Sequence, residues 1–140
     1  AKEVKADGIH LASNTTPIDQ ARSFLGKNAI IGSPANNFTD IKLAVELGAD
    51  YIALGPTRFT RSQRKNESII GPASFLMIKR KCIEFNIDIP LIATGGVAPE
   101  DLDIFLDLGM SGIAVSSAIT MSENPSMETE DIISRLKKLA

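Results

Sequence analysis

Pro90-Leu91-Ile92-Ala93-Thr94-Gly95-Gly96 and Gly112-Ile113-Ala114-Val115-Ser116-Ser117-Ala118-Ile119 are two short apolar runs. Each has the character of a strand covered on both faces. Each also ends in groups that suit an oxyanion. The pair Gly95-Gly96 lets backbone N–H groups approach a ligand without a side chain in the way. The pair Ser116-Ser117 supplies two hydroxyls just ahead of a helix start, where backbone N–H groups have no intrahelical acceptor.

Outward from these runs the chain repeats itself. Lys5-Ala6-Asp7-Gly8-Ile9-His10-Leu11, Leu47-Gly48-Ala49-Asp50-Tyr51-Ile52-Ala53-Leu54-Gly55 and Leu108-Gly109-Met110-Ser111-Gly112-Ile113-Ala114-Val115 echo one another. In the second and third a helix stops at Gly48 or Gly109, residues able to take the left-handed conformation of a helix terminus. Ala29-Ile30-Ile31-Gly32 and Pro90–Ala93 complete a set of five strands. Helices are predicted from Thr16-Pro17 to Leu25, from Phe38 to Leu47 and from Ala73 to Phe85. Two more are expected, one opening at Pro99 with Leu102, Phe105 and Leu106 inside, and one over Ser126 to Leu139.

Five βα units at this spacing are consistent with parallel pairing. An open doubly wound sheet is the structural rival, but no G-x-G-x-x-G follows the first strand. An oxyanion site in the last two units favours a (β/α)8 TIM barrel, represented by about five C-terminal βα units, strands 4 to 8. Residues 1–140 are then expected to be the C-terminal part of a single TIM-barrel domain. The start at Ala1, inside what reads as a helix end, fits a longer protein. Such a piece exposes strand edges at Gly8–Leu11 and at Ile113–Ser116.

Composition adds limits. The 140 residues carry a formal net charge of -2 and are 44% hydrophobic, which is enough for one core and gives no basic footprint for nucleic acid. No apolar run reaches membrane-spanning length. Cys82 is the one cysteine, so no intrachain disulfide forms, and a cytoplasmic location is expected. His10 alternates with Ile9 and Leu11 and reads as structural.

One loop breaks the regular spacing: Thr57-Arg58-Phe59-Thr60-Arg61-Ser62-Gln63-Arg64-Lys65-Asn66-Glu67, after a strand end. Its hydroxyls and guanidinium groups together suit a diphosphate, which offers several acceptor oxygens. A solvated basic loop is the plain alternative.

The ordered series Ala6-Asp7-Gly8-Ile9-His10-Leu11, Ile30-Ile31-Gly32, Gly48-Ala49-Asp50-Tyr51-Ile52, Leu54-Gly55-Pro56, Gly95-Gly96-Val97 and Gly112–Ile119 resembles thiamine-phosphate synthases and their thiazole-tautomerase relatives. Gly55-Pro56-Thr57-Arg58-Phe59-Thr60 is especially similar to synthases reading G-P-x-R-F-T. The resemblance implies an enzyme joining an aminopyrimidine-methyl diphosphate to a thiazole phosphate with release of diphosphate. It implies Mg²⁺, and two phosphorylated small molecules as partners, with a homo-oligomer left open.

Carried over residue by residue, the resemblance implies thiazole-phosphate binding by Gly95, Gly96, Ser116 and Ser117. It implies a diphosphate loop of Thr60, Arg61, Ser62, Gln63 and Arg64, with Gln63 where synthases commonly have Lys. Ser33, beside Pro34, is implied on the pyrimidine side. The usual Mg²⁺-binding Asp is Thr15 here, so no residue is assigned as a metal ligand. The tautomerase His matches Asn36, which cannot act as a general base. No catalytic residue is assigned. Three readings stay open: a divergent synthase homologue, a tautomerase-like enzyme, and a non-catalytic phosphate binder.

Overall fold

The computed structural model describes residues 1–12, 17–58 and 68–139, the side chains of 138 and 139 excepted. Strands β1 (Gly8–His10), β2 (Ile30–Ala35), β3 (Tyr51–Leu54), β4 (Leu91–Ala93) and β5 (Gly112–Ile113) form one five-stranded sheet. The order is β1-β2-β3-β4-β5 and every pair is parallel. Consecutive order has no reversal point, so the doubly wound rival, which needs one, does not describe this sheet. β1 and β5 are the edges, as expected.

Helices α1 (Ile18–Leu25), α2 (Phe38–Glu46), α3 (Pro72–Glu84) and α4 (Leu102–Asp107) connect the strands. α5 (Ser117–Thr120) and α6 (Pro125–Leu139) follow the last strand. The strand residues Ile31, Ala35, Ile52, Leu54, Leu91 and Ala93 share one sheet face and are buried. They form a single core cluster with Ile18 of α1, Ile41 and Ala44 of α2, Phe75, Ile78 and Cys82 of α3, and Phe105 of α4. The first four helices thus cover the same face. The opposite face carries His10, Tyr51 and Ile30, the last 51% exposed.

Several boundaries differ from expectation for identifiable reasons. Pro17 occupies the N-cap of α1 and not its first turn. The apolar run over 112–119 is not a long strand. Pairing ends at Ile113, and the chain bends into α5 at Ser117.

β2 runs on through Pro34 to Ala35, although Pro34 was expected in the following loop. A parallel strand points alternate peptide groups to alternate neighbours. Gly32 O accepts from Leu11 N on the β1 side, and Ala35 O from Gly55 N on the β3 side. The nitrogen of Pro34 therefore faces the β1 side. β1 ends at His10, so the missing N–H breaks no ladder bond.

Gly48 and Gly109 end their helices at φ 93° and 79°, in the left-handed region that favours glycine. Asn37 caps α2 by accepting from Asp40 N–H at 2.9 Å.

Candidate functional site

In a parallel sheet every strand delivers its C-terminal end to the same edge of the layer, and the loops after those ends meet there. β4 and β5 pair directly at Ala93–Ile113. Gly96 and Ser116 each lie three residues beyond that pair, so the two segments leave neighbouring strands at the same end of the sheet. Gly95 and Gly96 stand at φ 78° and 80°, two successive left-handed residues. A Cβ at Gly95 would lie 2.6 Å from Pro56 Cβ, so close approach as well as φ requires glycine there.

Ser116 is the N-cap of α5 and Ser117 its first residue. Both are exposed. Among the described residues neither hydroxyl makes a hydrogen bond, and Ser116 O accepts from Thr120 Oγ1 at 3.2 Å.

The loop after β3 is bolted to the glycine turn. Thr57 N–H donates to Thr94 O (3.1 Å) and Gly95 O (2.8 Å). Thr57 Oγ1 donates to Gly95 O at 2.8 Å. Arg58 N–H donates to Gly95 O at 3.0 Å, and Arg58 Nη1 to Gly96 O at 2.9 Å. Arg58 also donates through Nη2 to Asp101 Oδ1 at 2.7 Å and through Nη1 to Asp101 Oδ2. Asp101 Oδ2 accepts from Ala98 N–H at 2.9 Å. The hydrogen bond from Arg58 holds the Asp101 carboxyl below its ordinary range against the effect of burial. The same bond raises the Arg58 guanidinium.

The sequence reading placed Arg58 among the cations of a diphosphate loop. The structure assigns its guanidinium to Asp101 and Gly96 instead. The Thr57 hydroxyl, counted among the donors of the same loop, is engaged by Gly95 O, and Asp101 was missed altogether. Pro99-Glu100-Asp101 reads as the opening of a helix, and nothing local pairs Asp101 with an arginine 43 residues away.

Ser33 is 1% exposed, on the helix-covered face with Ile31 and Ala35. Its hydroxyl lies 3.4 Å from Pro34 O and is withdrawn from solvent. Asn36 Nδ2 donates to Gly55 O, and its N–H donates to Asp40 Oδ2 at 3.0 Å, a tie between two strand ends. Thr15, Thr60, Arg61, Ser62, Gln63 and Arg64 lie outside the described residues.

Among the described residues no three His, Cys, Asp or Glu side chains converge to hold a metal ion. Asp101, the one buried carboxylate there, has both oxygens engaged by Arg58 and one also by Ala98. The described donor set therefore does not fit Mg²⁺.

The sequence pattern of the family described as "Thiamine monophosphate synthase" matches residues 1–119. The chain belongs to the thiamine monophosphate synthase family. The thiamine-phosphate synthase of Bacteroides thetaiotaomicron is 40% identical over 133 residues, covering 95% of this chain and 64% of the relative. That of Phocaeicola vulgatus is 39% identical over 132 residues, covering 94% and 64%. Thiamine phosphate pyrophosphorylase from Pyrococcus furiosus superposes with a TM-score of 0.82 at 27% identity, over 99% of this chain and 63% of that one. The chain thus spans just under two thirds of the length of these thiamine monophosphate synthase family members. Its fold is α/β with a parallel sheet and TIM-barrel-like neighbours. No helix among the described residues is long and apolar enough to cross a membrane.

Proposed function

We propose that the five βα units are strands 4 to 8 of an eight-unit barrel, and that the protein to which they belong is a thiamine-phosphate synthase. The observation that supports this reading is that the Gly95-Gly96 turn and the Ser116-Ser117 helix start follow directly paired neighbouring strands. Backbone N–H groups there, with two hydroxyls that have no partner among the described residues, suit the phosphate of a thiazole phosphate. The reaction breaks the bond between the pyrimidine methylene and the diphosphate oxygen and forms one from that carbon to the thiazole nitrogen. The bonding pair leaves with the diphosphate. Such a transfer depends on holding two substrates in line and on stabilising a leaving anion, and needs no Ser-His-Asp set.

The diphosphate side falls to Thr60, Arg61, Ser62, Gln63 and Arg64, by resemblance to the family loop. A tautomerase role is disfavoured because the Asn36 amide is tied to Gly55 O and an amide is no general base.

The test is formation of thiamine phosphate from the two substrates by the full natural chain. Ser117→Ala is expected to raise KM for the thiazole phosphate about tenfold, the loss of one charge-assisted hydrogen bond, with KM for the diphosphate substrate unchanged. Arg61→Ala with Arg64→Ala is expected to do the reverse. Phosphate binding without turnover would replace this reading by that of a non-catalytic phosphate binder.

A further inference from the structure

We propose that Arg58 and Asp101 form a positioning pair that aims the N–H groups of Gly96 and Val97 at the substrate phosphate. The inference rests on the reading of the glycine turn as a phosphate site.

The geometry follows from the planarity of the peptide unit. In a trans peptide the C=O and the next N–H point in opposite directions. Gly95 O faces the loop after β3, where it accepts from Thr57 N, Thr57 Oγ1 and Arg58 N. The N–H of Gly96 therefore points away from that loop. Gly96 O accepts from Arg58 Nη1 at 2.9 Å, so the N–H of Val97 points away as well. Two successive N–H groups are thereby turned in one direction. Among the described residues neither has an acceptor.

Only the second of these peptides is held by a side chain that itself needs holding. The Arg58 side chain is half exposed and would have many rotamers if free. Asp101 is nearly buried, fixed by Ala98 N–H in the turn that starts α4, and presents both oxygens to the guanidinium plane. A guanidinium can make this fork and still reach Gly96 O. An ammonium is a point charge and cannot. Arg58 thus acts through the backbone of Gly96 and does not itself bind the phosphate.

The consequence is a sign that separates positioning from simple charge. If Asp101 acted only as a charge near an anion, its neutralisation would strengthen phosphate binding. If it positions Arg58, neutralisation weakens binding. The experiment titrates inorganic phosphate and thiazole phosphate into the full natural chain, by calorimetry and by the amide shifts of Gly96 and Val97. Asp101→Asn and Arg58→Lys are each expected to weaken both ligands about tenfold and to flatten the two amide shifts. In steady state each is expected to raise KM for the thiazole phosphate more than KM for the diphosphate substrate. Unchanged or tighter binding in Asp101→Asn, with the wild type binding normally, overturns the pair while leaving the phosphate site intact. Absence of any Gly96 or Val97 shift in the wild type overturns the phosphate site and the pair together. Should Asp101→Asn fail to fold, Arg58→Lys decides alone. It keeps the charge, so undiminished affinity there overturns the proposal.

Discussion

The ring of Tyr51 occupies the space in which a side chain at Gly32 would stand. A Cβ at Gly32 would lie 2.1 Å from Tyr51 Cζ. The two residues are register partners on β2 and β3, and His10 is the partner of Gly32 on β1. Because Gly32 has no side chain, Tyr51 reaches across it. Tyr51 Oη meets His10 Nδ1 at 3.0 Å, with the rings stacked at 5.6 Å.

Gly32→Ala is therefore expected to swing Tyr51 aside and separate it from His10, at a cost of about 1–3 kcal/mol from overpacking. Tyr51 is the one tyrosine and there is no tryptophan, so its emission reports the change directly. Urea unfolding followed at the tyrosine band measures both effects. Unaltered emission and midpoint would show that the ring is not seated across Gly32.

One residue before Tyr51, at the start of β3, Asp50 Oδ2 accepts from Ile31 N–H at 2.7 Å and from Arg22 Nη2 at 2.6 Å. Arg22 also donates to Gly48 O at 2.7 Å and to Ala29 O, so one guanidinium ties α1 to the starts of β2 and β3. Asp50→Ala is expected to destabilise the fold by about 1–2 kcal/mol, because it strands a part-buried N–H while half of the ion pair faces water. The combination with Arg22→Ala is expected to cost less than the sum of the single changes. Strict additivity in a double-mutant cycle would contradict a shared network.

Acid is expected to act in two steps. Burial lowers the His10 pKa from 6.5, so the unfolded chain takes that proton first, and a small part of the stability is lost as pH falls below about that value. The Arg58 hydrogen bond lowers Asp101 from 3.8. At Asp50, burial pushes the carboxyl up, and the bonds from Arg22 and Ile31 outweigh it, so the net shift is also down. Both carboxylates contribute stability above their unfolded values and lose it as pH drops through and below about 3.8. Urea midpoints across this range should show the lower step shrink in Asp101→Asn. A profile identical to wild type would rule out its contribution.

Cys82 is 2% exposed within the core cluster, and burial pushes its thiol pKa up. Both effects suppress the thiolate that reacts with alkylating agents. Labelling is expected to be negligible in the native state and to follow unfolding in urea. Fast native labelling would mean that α3 lifts from the sheet far below the global transition.

Periodic apolar spacing, helix-stopping Gly48 and Gly109, and the ordered strand-ending motifs were enough to read five βα units and to single out the strand ends at Gly95-Gly96 and Ser116-Ser117, where the oxyanion site is proposed. These are local properties: a glycine at positive φ, a cap, a run of apolar residues are written in adjacent positions. The extension of β2 through Pro34 was not legible. It depends on which neighbour each peptide group faces and on where β1 ends. The burial of Ser33 depends on the same strand phase. The role of Arg58 was misread for a related reason. An arginine in a basic loop looks like a ligand for phosphate until a carboxylate 43 residues away is folded against it. Sequence alone determined the units and their order, because hydrophobic period and turn chemistry act over a few residues. Tertiary structure alone decided which charges remain for a ligand, because a buried carboxylate such as Asp101 takes the cation that packing brings nearest.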